Sequence, residues 1–323
     1  MAKAAPLRAK AMPPYNLSGK RIWVAGHGGM VGQALMRRLA REQPAEILTA
    51  SRAELDLTDQ AAVNRWMEKT TPDCIFLAAA KVGGIAANSA APADFLYENL
   101  AIAQNVIRSA HVQKTQKLLF LGSSCIYPKL AEQPITEDAL LTGALEPTNE
   151  AYALAKIAGL KLCQAYQTQY GDNFISAMPT NLYGPGDSYD LENSHVIPAL
   201  IMKAHAAKEA GAPSMQLWGD GSAQREFLHV DDCADGLVHL MQHYSGEKAV
   251  NLGTGKDMSI IETARAVMET VGYGGALRYD TTRPNGTPKK QLDTRLMQSL
   301  GWTPSIEFKD GLRSAYQDYL ARF

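Results

Sequence analysis

The sequence predicts an α/β fold, a doubly wound parallel sheet with a smaller C-terminal α/β lobe. Three observations predict it. Short β-rich runs alternate with helical patterns through the first half of the chain, as successive β-α-β units require. A glycine-rich turn, Gly26-His27-Gly28-Gly29-Met30-Val31-Gly32, lies between the first such run and the first helical pattern. After Pro179 the texture changes to a stretch rich in Gly, Pro, Asp and Tyr, where a second unit begins.

Taken in order, residues 21–25 read as a buried strand and 31–41 as the helix after it. Residues 47–50, 74–78 and 117–121 read as further strands, with helices at 60–69 and 95–111. A long helix is expected from about 150 to 170 and a strand over 174–178. Residues 181–192 read as a loop. A helix at 196–207, a strand at 215–218 and helices at 231–243, 260–271 and 309–320 complete the reading. The expected organisation is a flexible extension over 1–19, a dinucleotide-binding domain of Rossmann type over 20–180, and a mainly substrate-binding lobe over 181–323. A segment at about 227–254 is expected to return to the main sheet.

The chain has 323 residues, 46% of them hydrophobic and 20% charged, enough for a sizeable core in two lobes. A net charge of −1 gives no reason to expect nucleic-acid or membrane-surface binding. The apolar runs are too short to span a bilayer. Residues 1–19 carry Lys and Arg but no apolar segment like that of a secretory signal. Cys74, Cys125, Cys163 and Cys233 are widely spaced and show no metal pattern, which fits reduced thiols in a cytoplasmic protein.

The turn has the spacing G-x-x-G-x-x-G at Gly26, Gly29 and Gly32. Glycines let the backbone approach a pyrophosphate, and the helix N-terminus behind them offers N–H groups and a positive dipole end. The second strand ends at Ser51-Arg52 rather than at the acid that would hold the ribose hydroxyls of NAD. That pair suits a 2′-phosphate, so NADP(H) is the expected cofactor. Asp56 and Leu57 are placed to meet the adenine, and Ala79 lets the backbone lie close to the dinucleotide.

Ser123-Ser124-Cys125 follows the strand at 117–121, and Tyr152 and Lys156 stand four residues apart on one helix face. An ammonium beside a phenol favours the phenolate, so Tyr152 is expected to have a lowered pKa. Such a Tyr can move a proton at an oxygen while a hydride moves at the adjacent carbon. Ser123 can hold that oxygen. Carbonyl reduction needs no thiol, so Cys125 points either to a second chemistry or to packing alone. His195, near a helix start, reads on its own as a cap or a core histidine.

Five stretches narrow the assignment: Ala79-Ala-Lys-Val-Gly-Gly-Ile85, Gly122-Ser-Ser-Cys-Ile-Tyr-Pro-Lys129, Glu146-Pro-Thr-Asn-Glu150, Met178-Pro-Thr-Asn-Leu-Tyr-Gly-Pro185 and Ser194-His-Val-Ile-Pro198. Together they resemble the GDP-L-fucose synthases of the extended short-chain dehydrogenase/reductase superfamily, from Lys20 to the C-terminus. The resemblance implies one pocket that epimerises C3 and C5 of GDP-4-keto-6-deoxy-D-mannose and then reduces C4 with NADPH. It implies that Cys125 and His195 are the acid/base pair, that Tyr152 protonates O4, and that Lys156 holds the nicotinamide ribose. It extends the cofactor set to Met30, Val31, Pro179, Asn181, Leu182 and His195. A homodimer built through the helices at 95–111 and 150–170 is implied as well.

The lobe must supply cations for the GDP diphosphate, and Lys203, Arg225 and Lys290 are the candidates, with Trp218 beside the nucleotide or sugar. Lys81 is a further candidate contact. Two positions depart from the family pattern. Gly28 stands where members often carry an Arg for the 2′-phosphate, which leaves more to Arg52. Lys203 stands where an Arg is common, keeping the charge without the bidentate fork. The alternatives are another nucleotide-sugar epimerase/reductase of the superfamily, or a non-catalytic NADP-binding regulatory protein. A dehydratase would add an acid to the Ser123–Tyr127 segment, and a regulatory protein would lack Tyr152 or Lys156.

Overall fold

The computed structural model describes residues 13–190, 194–282 and 287–323. Most of the expected N-terminal extension and the end of the expected 181–192 loop therefore lie outside the described residues.

The chain opens with β1 (Arg21–Ala25) and α1 (Met30–Leu39), then β2 (Glu46–Leu48), α2 (Gln60–Thr70) and β3 (Cys74–Leu77). A short α3 (Ile85–Ala90) and the long α4 (Pro92–Val112) lead to β4 (Lys117–Leu121). Then come α5 (Glu150–Tyr170) and β5 (Phe174–Pro179). The strands β1, β3, β4 and β5 are almost wholly buried, because helices cover both faces of the sheet.

Past Pro179 the elements shorten: β6 (Asn181–Tyr183), α6 (Val196–Glu209), β7 (Ser214–Trp218) and β8 (Gln224–His229). They continue as α7 (Val230–His243), β9 (Val250–Leu252), β10 (Asp257–Ser259) and α8 (Ile260–Val271). The chain ends with β11 (Ala276–Asp280), β12 (Lys289–Lys290), α9 (Arg295–Ser299) and α10 (Phe308–Arg322).

Six parallel strands form the main sheet in the order β2-β1-β3-β4-β5-β9. The chain winds outward from β1 to β2, then crosses back to β3 on the other side of β1. The loops after β1 and β3 therefore diverge and open a crevice at the carboxyl ends of the strands. One core layer packs α1 and α7 against one face, through Leu35, Leu39, Leu237 and Met241. The other packs α2, α4 and α5 against the opposite face, through Val63, Met67, Val106 and Leu160. β9 reaches this sheet beside β5 after α7 has crossed it.

A third core, around Tyr183, Leu200, Phe227 and Val267, belongs to the C-terminal elements. There β8 is the organising strand: β6 and β12 pair with it in parallel and β10 antiparallel. β7 and β11 form a separate parallel pair. The loop expected from residue 181 is thus corrected at its start. Asn181–Tyr183 is a strand, because its backbone pairs with Phe227–His229, a partner 46 residues away.

Local chemistry sets the element ends that matter. α5 closes at Gly171, whose φ of +74° is the left-handed geometry a glycine C-cap takes. Inside α5, a Cβ at Gly159 would fall 2.4 Å from the Phe120 ring. The missing side chain lets this helix settle against β4, which brings Lys156 over the end of that strand.

Candidate active site

One cleft of about 1120 Å³ runs between the main sheet and the C-terminal elements. The catalytic, cofactor and GDP-sugar candidates named in the sequence line it, except Ser51, which stays outside the lining. Gly26, Gly29, Met30, Val31, Gly32, Arg52, Asp56, Leu57 and Ala79 lie along the β1 and β3 ends. Ser123, Cys125, Tyr152 and Lys156 lie at the centre, beside Pro179, Asn181, Leu182 and His195. Lys203, Trp218, Arg225 and Lys290 form the far wall.

The turn after β1 fits a dinucleotide. A Cβ at Gly32 would sit 2.0 Å from the Gly26 carbonyl oxygen, and one at Gly26 would sit 2.6 Å from the Ala79 nitrogen. Gly26 also has φ +93°. Gly29 caps α1 with no side-chain hydrogen bond, and the first turn of α1 carries no acid. No carboxylate of its own first turn therefore competes for its N–H groups and dipole, which suits a pyrophosphate.

Arg52 stands at the lip of this region, 74% exposed, with its guanidinium 3.3 Å from Glu98 of α4. Glu98 also accepts from Lys81 Nζ at 2.6 Å, and Lys81 lies 3.6 Å from Asp94. Ser51 is turned to its own loop instead, giving both its N–H and its hydroxyl to exposed Glu54 at 2.8 Å. Asp56 accepts from the Thr58 backbone and hydroxyl, which hold its carboxyl below the usual range. The loop after β3 is clamped by buried Asn99: its Oδ1 accepts from Lys81 N, and its Nδ2 donates to Lys81 O and Phe95 O.

At the centre, Lys156 Nζ donates to the Leu121 carbonyl at 2.7 Å and lies 4.9 Å from the Phe120 ring centroid. It is 5.7 Å from the Tyr152 ring centroid. Burial pushes its pKa down to about 8. The Tyr152 phenol is pushed up, chiefly by burial and then by the Cys125 sulfur. The expected lowering by Lys156 is therefore overturned. The ammonium is committed to Leu121 O, and desolvation of the phenolate dominates.

Cys125 sits in a short 3₁₀ turn after β4, where its N–H donates to Ser123 Oγ at 3.3 Å. Burial pushes its thiol up, opposed by Lys290, Ser123 and Lys156. All four cysteines are free and buried. His195 is the N-cap residue of α6 by backbone geometry but makes no side-chain cap bond. Its Nδ1 lies 3.9 Å from Asp187 Oδ1, and Asp187 raises its pKa.

On the far wall, the β12–β8 register sets Lys290 directly beside Arg225. Burial lowers the pKa of both. Two half-buried cations side by side on neighbouring strands repel, and an anion between them relieves that repulsion. Lys203 Nζ stands 4.4 Å from the Trp218 ring centroid. Glu146 faces this wall, paired with Lys129 at 3.0 Å and accepting from the Thr148 and Thr287 hydroxyls at 3.4 Å. Asn181 lines the cleft but gives its amide to Glu226 O at 2.8 Å, so it also ties β6 to β8.

Sequence reasoning passed over Glu98, Asn99, Lys129, Glu146 and Asp187. Lys129 and Glu146 stand inside motifs already singled out, which was the available signal. Glu98 and Asn99 carried none, because their partners come from other strand ends. Among the described residues, no cluster of three or more His, Cys, Asp or Glu is placed to hold a metal.

Comparison with known proteins agrees with this geometry. Residues 22–253 match the NAD dependent epimerase/dehydratase family. A GDP-L-fucose synthase of Sinorhizobium fredii is 54% identical, over 96% of this chain and 98% of its own. That of Escherichia coli is 48% identical, over 94% and 98%. A crystal structure of a GDP-L-fucose synthetase from Naegleria fowleri bound to NADP superposes with a TM-score of 0.88 at 26% identity, covering 96% of this chain and 97% of that one.

Proposed function

The chain belongs to the NAD dependent epimerase/dehydratase family and, within it, to the GDP-L-fucose synthases, and on that premise we infer how its cleft works. It is an NADP-dependent oxidoreductase with epimerase activity. It inverts C3 and C5 of GDP-4-keto-6-deoxy-D-mannose and reduces the C4 ketone to give GDP-L-fucose. The observation that carries the residue-level reading is that Cys125 and His195 reach one cleft with Ser123, Tyr152 and Lys156.

The C–H bonds at C3 and C5 are acidic because the electron pair left behind delocalises onto O4. Ser123 and Tyr152 donate to that oxygen and stabilise the enolate. Inversion requires a proton taken from one face of the ring and another delivered to the opposite face. Cys125 comes from the end of β4 and His195 from the start of α6, so the two approach from different walls. NADPH, when bound, supplies the hydride for C4. Tyr152 then gives its proton to O4, and its raised pKa keeps that proton in place until charge develops there. Lys156 lies beneath, placed to hold the nicotinamide ribose.

The cofactor would lie along Gly26–Gly32, with Arg52 on its 2′-phosphate. Arg225, Lys290 and Lys203 would take the diphosphate, and Trp218 the nucleotide or sugar. In this division, residues 20–180 with the segment about 227–254 bind the cofactor, and the remainder of 181–323 binds the GDP-sugar. The proposed assembly is a homodimer through α4 and α5, and the proposed location is cytoplasmic. Among the described residues no helix is long and apolar enough to cross a membrane.

The test follows NADPH oxidation with GDP-4-keto-6-deoxy-D-mannose made in situ, with products identified by NMR. Wild type should give GDP-L-fucose. Cys125→Ser and His195→Gln should give unepimerised or half-epimerised reduced sugar, or none. Full epimerisation by both variants would overturn the acid/base assignment.

A further inference from the structure

Asp187 is almost fully buried in the turn after β6, and no catalytic step uses it. The turn is built for its position. Gly184 and Gly186 have φ of +137° and +87°, and Asp187 N donates back to Gly184 O at 3.3 Å. α10 holds the turn from outside: Asp318 accepts from Gly186 N at 3.0 Å, and Arg322 donates to Asp187 O at 2.7 Å. Asp318 and Arg322 also pair with each other at 3.1 Å. These bonds fix the backbone and leave the Asp187 carboxylate to other work.

That carboxylate is only partly answered. Oδ1 accepts from Ser188 N at 2.8 Å, and Oδ2 is buried without a hydrogen-bond partner among the described residues. A buried carboxylate with an unanswered oxygen is costly unless a cation or donor stands near. The group in reach is His195, whose Nδ1 lies 3.9 Å from Oδ1, an ion-pair separation that is too long for a hydrogen bond. The half-exposed imidazole lines the cleft while its partner does not. Among the described residues, the other titratable groups around this turn include Tyr189, Asp190, Asp318, Tyr319 and Arg322. Two turns along α6, Lys203 stands over Trp218.

We propose that Asp187 is the positioning residue for His195, orienting the imidazole with Nδ1–H toward the carboxylate and leaving Nε2 for the sugar. Buried carboxylates orient catalytic imidazoles in this way, and such contacts tighten when substrate closes the site. With Nδ1 protonated, Nε2 carries the lone pair that takes a proton from the ring carbon, or the proton that returns to it. Asp187 stabilises the imidazolium formed in between. The raised His195 pKa is in keeping with this. The inference rests on His195 being one of the two acid/base groups.

The test has two readouts. The His195 ring is titrated by NMR in wild type and in Asp187→Asn. Deuterium incorporation from D2O at C3 and C5 is followed in wild type, Asp187→Asn, Asp187→Glu and His195→Gln. Circular dichroism and thermal unfolding serve as the folding control. In wild type, His195 should titrate above the ordinary value of about 6.5. In Asp187→Asn the midpoint should fall, and incorporation at one carbon should drop tenfold or more with KM little changed. Asp187→Glu should recover part of the loss. A wild-type midpoint at or below the ordinary value overturns the proposal even if the Asn variant does not fold. So does an unchanged midpoint in a folded Asp187→Asn. Undiminished incorporation in His195→Gln would instead overturn the underlying reading of His195.

Discussion

Lys156 sits where a positive charge is poorly solvated, and its pKa of about 8 sets a testable limit on the reaction. The free enzyme loses the ammonium as pH rises through 8, while Tyr152, pushed up by burial, stays protonated through the same range. The profile of kcat/KM for reduction should therefore fall above pH about 8, since this ratio reports groups of the free enzyme. Lys156→Met, which removes the ammonium placed to hold the nicotinamide ribose, should lose about 10²-fold in kcat/KM, as misplacing a reacting group does, and should lack that limb. A wild-type profile flat to pH 10 would sink the assignment. Arg52 allows a second test. It is exposed and shares Glu98 with Lys81, so its charge is available at little structural cost. Arg52→Ala should weaken NADP+ binding by about tenfold to a hundredfold, the worth of a charge-assisted hydrogen bond. NAD+ binding should stay within about twofold, both measured by isothermal titration. Equal losses for the two nucleotides would place the 2′-phosphate elsewhere.

At the scale of elements, the site depends on loops at strand ends being held still. Asn99 of α4 holds both peptide groups of Lys81, fixing the loop after β3 against which Gly26 packs. Asn99→Leu would leave those groups unpartnered, at about 1–3 kcal/mol, and loosen the cofactor cradle. Denaturant unfolding should show the loss of stability, and titration should show weaker NADP+ binding. A destabilised variant with unchanged affinity would confine Asn99 to a structural role. The same contrast explains what was legible in the sequence. Residues 21–25, 117–121 and 150–170 were readable because buried parallel strands are continuous apolar runs and α5 is an uninterrupted helical pattern. β6 and β12 were not, because they are short, and β8 was not, because it opens on the polar run Gln224-Arg225-Glu226; all three are defined by their pairing. The proposed catalytic motifs follow strands or open helices, which is where the sequence marks them. Glu98 meets Arg52 across 46 residues, and only the assembled fold shows that contact.

At the scale of the whole molecule, the main sheet and the C-terminal elements give the cleft its walls, and one outer surface is left to account for. α4 and α5 pack against each other, and their outer face presents Tyr97 and Leu154, 68% and 43% exposed. On α5, Leu154, Ala158 and Ala165 recur at helical spacing on the exposed side, opposite the buried side that carries Lys156. The small Ala158 and Ala165, with exposed Lys161 between them, let another pair of helices approach closely, and the proposed homodimer would form there as a four-helix bundle. Light scattering should give twice the 35.0 kDa chain mass for wild type. Ala158→Arg, which adds bulk and a charge at the centre of that face, should give the monomer. Wild type at the mass of one chain across micromolar concentrations would overturn the assembly. The consequence should reach the chemistry. Tyr152 and Leu154 share the first turns of α5, so a partner pressed on the outer face backs the helix that aims Tyr152 into the cleft. The monomeric variant should accordingly bind NADP+ with little change yet reduce the ketone more slowly. A monomer with full activity would show that each chain positions its own tyrosine unaided.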